Sequence, residues 1–366
     1  MPHTKTLFSF GKRLTDAQSQ NSVLNRLEMD EKKIVLSSCF RHLVLELTNS
    51  CNMNCVMCGR NFAEFKPYYL PLEIVEYFRP FFNIIEEVTL MGWGEPTIHP
   101  CFTTILEILD QYDVRKYFLT NGKLLNDLKK AIFDFHVDIL RVSVNGATPE
   151  TNDTARKGSS LKEITEVLSE IAAIKKERGF PFPYLGFVMC LQRSNLQEFP
   201  ALIDLAAKIG LNNCKGVFLT AFDDELADEV LYYCADEVRS VFDIAQRKAA
   251  AAGINLDLPH IPGSDPAGTK NHTDCTVCWR DLFVGADTYL RPCMSYNGHL
   301  FKLDTSKDFF EIWNAPEYQH LRACVNDEGK MPHCCSRCFQ SSFTNWNLKR
   351  SFLPDKGEKI APEWEG

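Results

Sequence analysis

Three cysteines within eight residues, Cys51, Cys55 and Cys58, at the spacing C-x3-C-x2-C, constrain this chain more than any other feature. They follow closely on Leu43 to Thr48, a mostly apolar run that predicts a strand. A loop of three thiolates at a strand end demands a fold with room for metal there. Thiolate is the ligand that soft iron–sulfur clusters prefer, so this loop can grip three irons of a [4Fe–4S] cube. The fourth iron is then open to a small molecule. A structural zinc loop is the competing reading. Such sites close with four ligands, and no fourth cysteine or histidine stands nearby on this loop.

The remaining composition narrows the class. The chain has 366 residues, enough for one large domain and a smaller one, and a net charge of −8, which argues against a nucleic-acid partner. No apolar run reaches the roughly 18 residues that a membrane span needs. The start, MPHTKTLFSFGKRLTDAQ, has no apolar core of a secretory signal, so a cytoplasmic chain is expected. Fifteen cysteines in that reducing setting point to metal rather than to disulfides.

From 41 to 258, strand-like and helix-like stretches alternate. Strands are expected at 42–48, 86–91, 115–120, 137–144, 184–191 and 215–220. Helices are expected at 72–82, 101–111, 124–134, 161–178, 197–209 and 225–252. Strands alternating with helices argue for an α/β fold with a parallel sheet. Six such units make a partial (β/α)6, TIM-like barrel whose working loops lie at the C-terminal strand ends. Residues 1–40 form an N-terminal extension with a short helix near Val23 to Met29 and no assigned chemistry. Residues 259–274, rich in Pro and Gly, read as a linker. Residues 275–345 form a small cysteine-rich module, and 346–366 a tail.

The loop CNMNCVMC, behind a strand ending in Leu-Thr, resembles the signature of the radical S-adenosylmethionine (SAM) superfamily. Gly92-Trp93-Gly94-Glu95-Pro96 resembles the Gly-Gly-Glu-Pro motif of that family, whose backbone and Glu contact the amino group of SAM. Thr120-Asn121-Gly122 follows the third strand, as is frequent there. Ser143-Val144-Asn145-Gly146 is similar to the family's Ser-x-Asp/Asn-Gly, and Arg156 lies in a stretch whose Arg commonly sits near the cofactor. The resemblance implies SAM as cofactor, bound by Gly92, Gly94, Glu95, Asn121, Ser143, Asn145 and Arg156. It also implies a [4Fe–4S] cluster on Cys51, Cys55 and Cys58. Met57 replaces a frequent aromatic and can pack against adenine. Arg193 and Asn195 are further candidates. Glu46 is open to two readings, a side chain pointing into the barrel or an edge salt bridge.

Seven cysteines fall between 275 and 338. Cys275 to Cys293 reads as a hairpin, and Asp308 to Arg322 resembles the linking helix of the SPASM and twitch extensions of radical SAM enzymes. With no cysteine after Cys338, a single-cluster, twitch-type module is the better match. The implied ligands of one auxiliary [4Fe–4S] cluster are Cys275, Cys293, Cys335 and Cys338. Cys278 is the likelier bystander and Cys334 an alternate to Cys335. A zinc site is the competing reading. Cys39, Cys101, Cys190, Cys214, Cys234 and Cys324 read as small core residues.

The implied reaction begins with an electron from flavodoxin or ferredoxin. It proceeds through a 5′-deoxyadenosyl radical that abstracts a substrate hydrogen, and it ends with an electron passed to the auxiliary cluster. That is an oxidoreductase. The expected substrate is a small molecule such as a sugar or aminocyclitol alcohol. The alternative is a peptide or protein that receives a crosslink, an epimer or a formylglycine. Only some 40 residues precede the first strand, which favours the first reading.

Overall fold

The structure is a computed structural model that describes residues 14–64, 66–261, 274–296, 298–327 and 329–338, with isolated positions from 349 to 364. Its strands are β1 (His42–Leu45), β2 (Asn54–Cys55), β3 (Glu87–Leu90), β4 (Arg115–Thr120), β5 (Ile139–Val144) and β6 (Arg156–Lys157). They continue as β7 (Tyr184–Leu191), β8 (Asn213–Phe218), β9 (Asn255–Asp257), β10 (Asp281–Val284), β11 (Tyr289–Arg291) and β12 (Phe301–Lys302). Ten of them form one sheet in the order β12-β11-β10-β1-β3-β4-β5-β7-β8-β9, and β2 pairs with β6 apart from it. From β10 through β1 to β9 every pairing is parallel. The result is the expected α/β partial barrel.

Alternation along the strands decides which side each residue faces. Val88, Leu90, Phe118, Leu140, Val142, Leu185, Phe187, Met189 and Leu191 are buried in the core beneath the helices. Those helices span Leu72–Phe78, Phe102–Asp110, Leu125–Asp134, Leu161–Glu177, Phe199–Ile209 and Ala235–Ala252, close to the expected places except the last, which begins ten residues later than expected, after a separate 3-10 turn at Asp224–Glu229. In the fourth, Leu161, Ile164, Val167, Leu168 and Ile171 recur at helical spacing and are buried. Ser160 caps its start by accepting the Glu163 N–H. Gly210 ends the fifth at φ 88°, a left-handed geometry that glycine adopts without strain.

Buried ion pairs lie at the starts of the strands. Arg41 pairs with Glu86 at 2.7 Å, Arg115 with Glu87 at 2.9 Å, and His42 with Asp281 at 3.0 Å. Removing one partner of such a buried pair costs about 3–5 kcal/mol, because it strands the other charge.

Four features differ from the sequence reading. The N-terminal helix is longer, Asp16–Asp30, with a capping box of Thr15 and Gln18. It is also docked. Gln18 donates to the Ile85 carbonyl at 2.9 Å, and Asn25 to the Trp279 carbonyl at 2.8 Å. Strand β9 was not expected, since three residues reading Asn-Leu-Asp carry little strand signal. The expected Cys275 to Cys293 hairpin is present as β10 and β11. It is not a detached unit, because β10 continues the barrel sheet beyond β1. The linker expected at 259–274 lies mostly outside the described residues, as does most of the tail. Among the described residues no helix is long and apolar enough to cross a membrane.

Candidate functional site

The thiol loop leaves β1 at the C-terminal edge of the sheet and is tied down on several sides. Cys55 stands opposite Arg156 in the β2–β6 ladder, and Val56 N–H donates to the Ala155 carbonyl at 3.0 Å. Asn61 donates to the Cys55 carbonyl at 2.9 Å. From β4, the Asn121 amide donates to Asn52 Oδ1 at 2.7 Å and reaches Cys51 Sγ at 3.7 Å. The three thiols are half-buried. Burial pushes the Cys51 and Cys58 thiols up, and the Arg60 guanidinium pulls both back. Cys58 senses both other thiols, so the three share one small space. Met57, between Cys55 and Cys58, is buried in the hydrophobic core.

The second motif is packed directly against this loop. A Cβ on Gly94 would lie 2.2 Å from the Thr48 carbonyl oxygen and 2.3 Å from that of Ser50. A Cβ on Gly92 would lie 2.3 Å from Glu46 Cγ. Only glycine permits these approaches. Glu95 N–H closes the contact by donating to the Ser50 carbonyl at 2.8 Å. The Glu95 carboxylate is buried and faces the protein. It accepts from Thr97 Oγ1 at 2.6 Å, Thr120 Oγ1 at 2.7 Å and Asn121 N–H at 2.6 Å. With those partners it fixes the end of β4 beside the thiol loop.

Asn145 is likewise turned inward. Its N–H donates to Asn152 Oδ1 at 2.8 Å, and its amide donates to the Cys190 carbonyl and to Gln192 Oε1. Asn195 donates to the Asn145 and Cys190 carbonyls and is engaged in that same turn. Among the described residues Ser143 is half-buried with no hydrogen-bond partner, and Arg156, whose Nη1 donates to Asn145 Oδ1 at 3.5 Å, keeps a buried Nε without one. An orphaned guanidinium N–H beside a three-thiol loop suits a carboxylate-bearing ligand.

The C-terminal thiols also converge. Cys275 senses Cys338, and Cys293 senses Cys338, Cys275 and Cys334. Cys335 touches Cys334 and senses Cys293 and Cys275. Buried Cys278 stands behind them, sensing Cys275 and Cys293. Burial pushes the Cys275 thiol up to about 12, and a bound metal would take the place of that proton. Among the described residues no three metal-ligating side chains are close enough to clasp a single ion. A four-iron cube holds its thiolates farther apart than a single ion does. Both thiol sets fit iron–sulfur clusters in donor chemistry, thiolate being the ligand such clusters prefer.

Glu46 carries more than the sequence indicated. It is buried at 1% exposure, and among the described residues it makes no salt bridge. Its Oε1 accepts from Trp93 N–H, and its Oε2 accepts from Ala286 N–H at 3.1 Å and from Trp364 Nε1 at 3.2 Å. Burial pushes its carboxyl up, against the pull of Arg291. Trp93 lies against Phe222 with ring centroids 5.5 Å apart, over Gly59 of the thiol loop. Phe222 carried no signal in the sequence.

Residues 45–206 match the family model described as Radical SAM superfamily, and residues 275–339 match SPASM, an iron–sulfur cluster-binding domain. The chain is 24% identical over 298 residues to the tungsten-containing aldehyde ferredoxin oxidoreductase cofactor-modifying protein of Pyrococcus furiosus, covering 77% of this chain and 83% of that protein. It is 31% identical over 173 residues to the mycofactocin maturase MftC of Mycobacterium ulcerans, 44% of each chain. It is 28% identical over 336 residues to the AdoMet-dependent heme synthase of Methanosarcina barkeri, 83% of this chain and 93% of that one. Streptococcus suis SuiB bound to S-adenosylmethionine shares the fold, with a TM-score of 0.66 at 14% identity over 96% of this chain and 85% of that one.

Proposed function

Because the chain belongs to the radical SAM superfamily and carries a SPASM domain, we propose that it installs a modification in a peptide or protein. The likeness to a maturase carries the proposal. SuiB, of the same fold, has also been seen bound to its precursor peptide SuiA, with a TM-score of 0.62. This reverses the preference for a small alcohol that the short N-terminal extension suggested. The heme synthase likeness favours a second reading, a non-peptide substrate.

Cys51, Cys55 and Cys58 would hold the SAM-binding cluster, and Cys275, Cys293, Cys335 and Cys338 would hold one auxiliary cluster. When bound, the first cluster and SAM supply the electron and the radical that removes a substrate hydrogen atom. The protein's part is positioning. Gly92 and Gly94 let the motif backbone lie against the thiol loop, while Glu95, Asn121 and Asn145 hold the strand ends rigid. Ser143 and Arg156 present free polar atoms toward the cofactor. Trp93 and Phe222 cover the loop against water and oxygen. A flavodoxin or ferredoxin supplies the electron. The net change we propose is an oxidation, for which a cluster on Cys275, Cys293, Cys335 and Cys338 would be the electron acceptor.

The test is anaerobic incubation of the iron-loaded full chain with SAM, dithionite and the peptides encoded beside its gene, read by mass spectrometry. A peptide lighter by about 2 Da, the two hydrogens lost in a crosslink, is expected. Unchanged peptides together with a converted small molecule overturn the proposal.

A further inference from the structure

We propose that the barrel interior holds a carboxylate-binding site, made by Lys215 and Arg141, which anchors an acidic group of the substrate below the thiol loop. The inference rests on the proposed function only in taking the barrel interior as the substrate chamber.

The outward positions of β5, β7 and β8 are Leu140, Val142, Leu185, Phe187, Met189, Cys214 and Phe218, all in the core. Their alternates therefore face the concave side. Among them are Arg141 and Ser143 on β5, Gly186, Val188 and Cys190 on β7, and Lys215 on β8. Apolar side chains would fill a purely structural interior. Here two cations occupy it.

Arg141 is 1% exposed and its Nη2 donates to Asp257 Oδ2 at 3.1 Å. That bond runs from β5 to β9 across β7 and β8. It can do so because β7 sets Gly186 in register with Arg141, leaving the path clear. Arg141 Nε is buried with no partner. Lys215 stands in register with Asp257, yet makes no ion pair or hydrogen bond within reach among the described residues. Burial pushes its amine down to about 8, with Arg141 adding to the effect and Asp257 opposing it.

The other groups facing this space leave the charge unbalanced. Asp257 Oδ2 is shared with Asn213 Nδ2 at 3.2 Å. Tyr117 and Tyr184 are both pushed up by burial and stay neutral. Glu87 is taken by Arg115 at 2.9 Å. Two cations facing one carboxylate leave one positive charge over, which a single carboxylate balances and a doubly charged phosphate does not. An uncompensated charge in such a place is costly unless a ligand pairs it.

The placement suits a substrate. Lys215 is in register with Val188, and Val188 with Ser143. Two residues further along β7, about 7 Å at strand rise, lies Cys190, whose thiol senses Arg156, Cys55 and Cys58. A carboxylate held on Lys215 would thus leave the neighbouring carbons of its bearer facing the rim. On a peptide, the bearer is an Asp or Glu side chain or the C-terminus.

The experiment has two arms on the full chain. In the first, lysines are dimethylated with 13C-formaldehyde, and the Lys215 methyl signal is assigned by its loss in K215M or in K215R. Propionate should shift that signal, whereas propionamide and chloride at equal ionic strength should not. A signal that propionate leaves unmoved, or that all three move alike, overturns the inference. In the second, once a substrate peptide is found, amidating its carboxylate or introducing K215M should raise KM about tenfold, and K215R should restore it. Peptide turnover indifferent to both changes also overturns the inference. A propionate shift without any peptide turnover sinks the peptide reading and leaves the site standing.

Discussion

Glu46 Oε1 accepts the Trp93 backbone N–H at 2.8 Å, which joins the strand before the thiol loop to the motif packed upon that loop. The other oxygen binds Ala286 of the hairpin turn and Trp364 of the tail. One buried carboxylate therefore holds three separate segments in register with the site.

Glu46→Gln replaces one acceptor oxygen with a donor that faces an N–H. A loss of about 1–3 kcal/mol in urea unfolding is expected, the cost of leaving a buried donor unpaired. SAM affinity should fall as well, because the Trp93 segment shifts. A variant with wild-type stability and SAM affinity would show that the bonds to Glu46 are incidental.

Gly94→Ala places a methyl within 2.2 Å of the Thr48 carbonyl oxygen. Backbone cannot give way as a flexible side chain can, so destabilisation of about 1–3 kcal/mol is expected. SAM binding should be lost, as read by equilibrium dialysis. Gly179→Ala has no atom within 4 Å of the new methyl, but its φ of 64° makes it a control for backbone strain alone.

Iron analysis separates the two thiol sets. The reconstituted chain should hold about eight irons, four per cluster. Replacing Cys51, Cys55 and Cys58 by Ala should leave about four and abolish SAM cleavage under dithionite. Cys335→Ala should remove the other four and leave SAM cleavage in place. Full iron content in Cys335→Ala would move the ligand role to Cys334.

Lys215 gives a pH dependence of known sign. Its amine titrates near 8 in the folded chain, against 10.5 ordinarily. Below 8 both states carry the proton and the folded chain bears the whole burial penalty. Between 8 and 10.5 the unfolded state binds more protons, so raising the pH through that window stabilises wild type relative to Lys215→Met. Parallel stability–pH curves for the two proteins would refute the shift.

The barrel was legible because its strands and helices are long and punctuated. β4 and β7 were placed to the residue, since each is bounded by turn residues. The thiol loop and the motifs at the strand ends were legible because chemistry fixes their residue types. What stayed hidden is non-local. Nothing near Asp281–Val284 announces that its partner is His42–Leu45. Glu95 and Asn145 sit at motif positions, yet their side chains are engaged by neighbours far along the chain, which spacing cannot disclose. Arg141 and Lys215 did carry a signal, a charge at an inward step of an otherwise apolar strand.

The pairing of β1 with β10 also bears on how the chain is made. Glu46 meets Ala286 and Trp364 across 240 and 318 residues of sequence. Contacts that distant slow folding, since the loop must close before they form. On the ribosome the first strand and its thiol loop emerge early and wait for nearly the whole chain. Until then β1 offers one bare edge that would template misassociation.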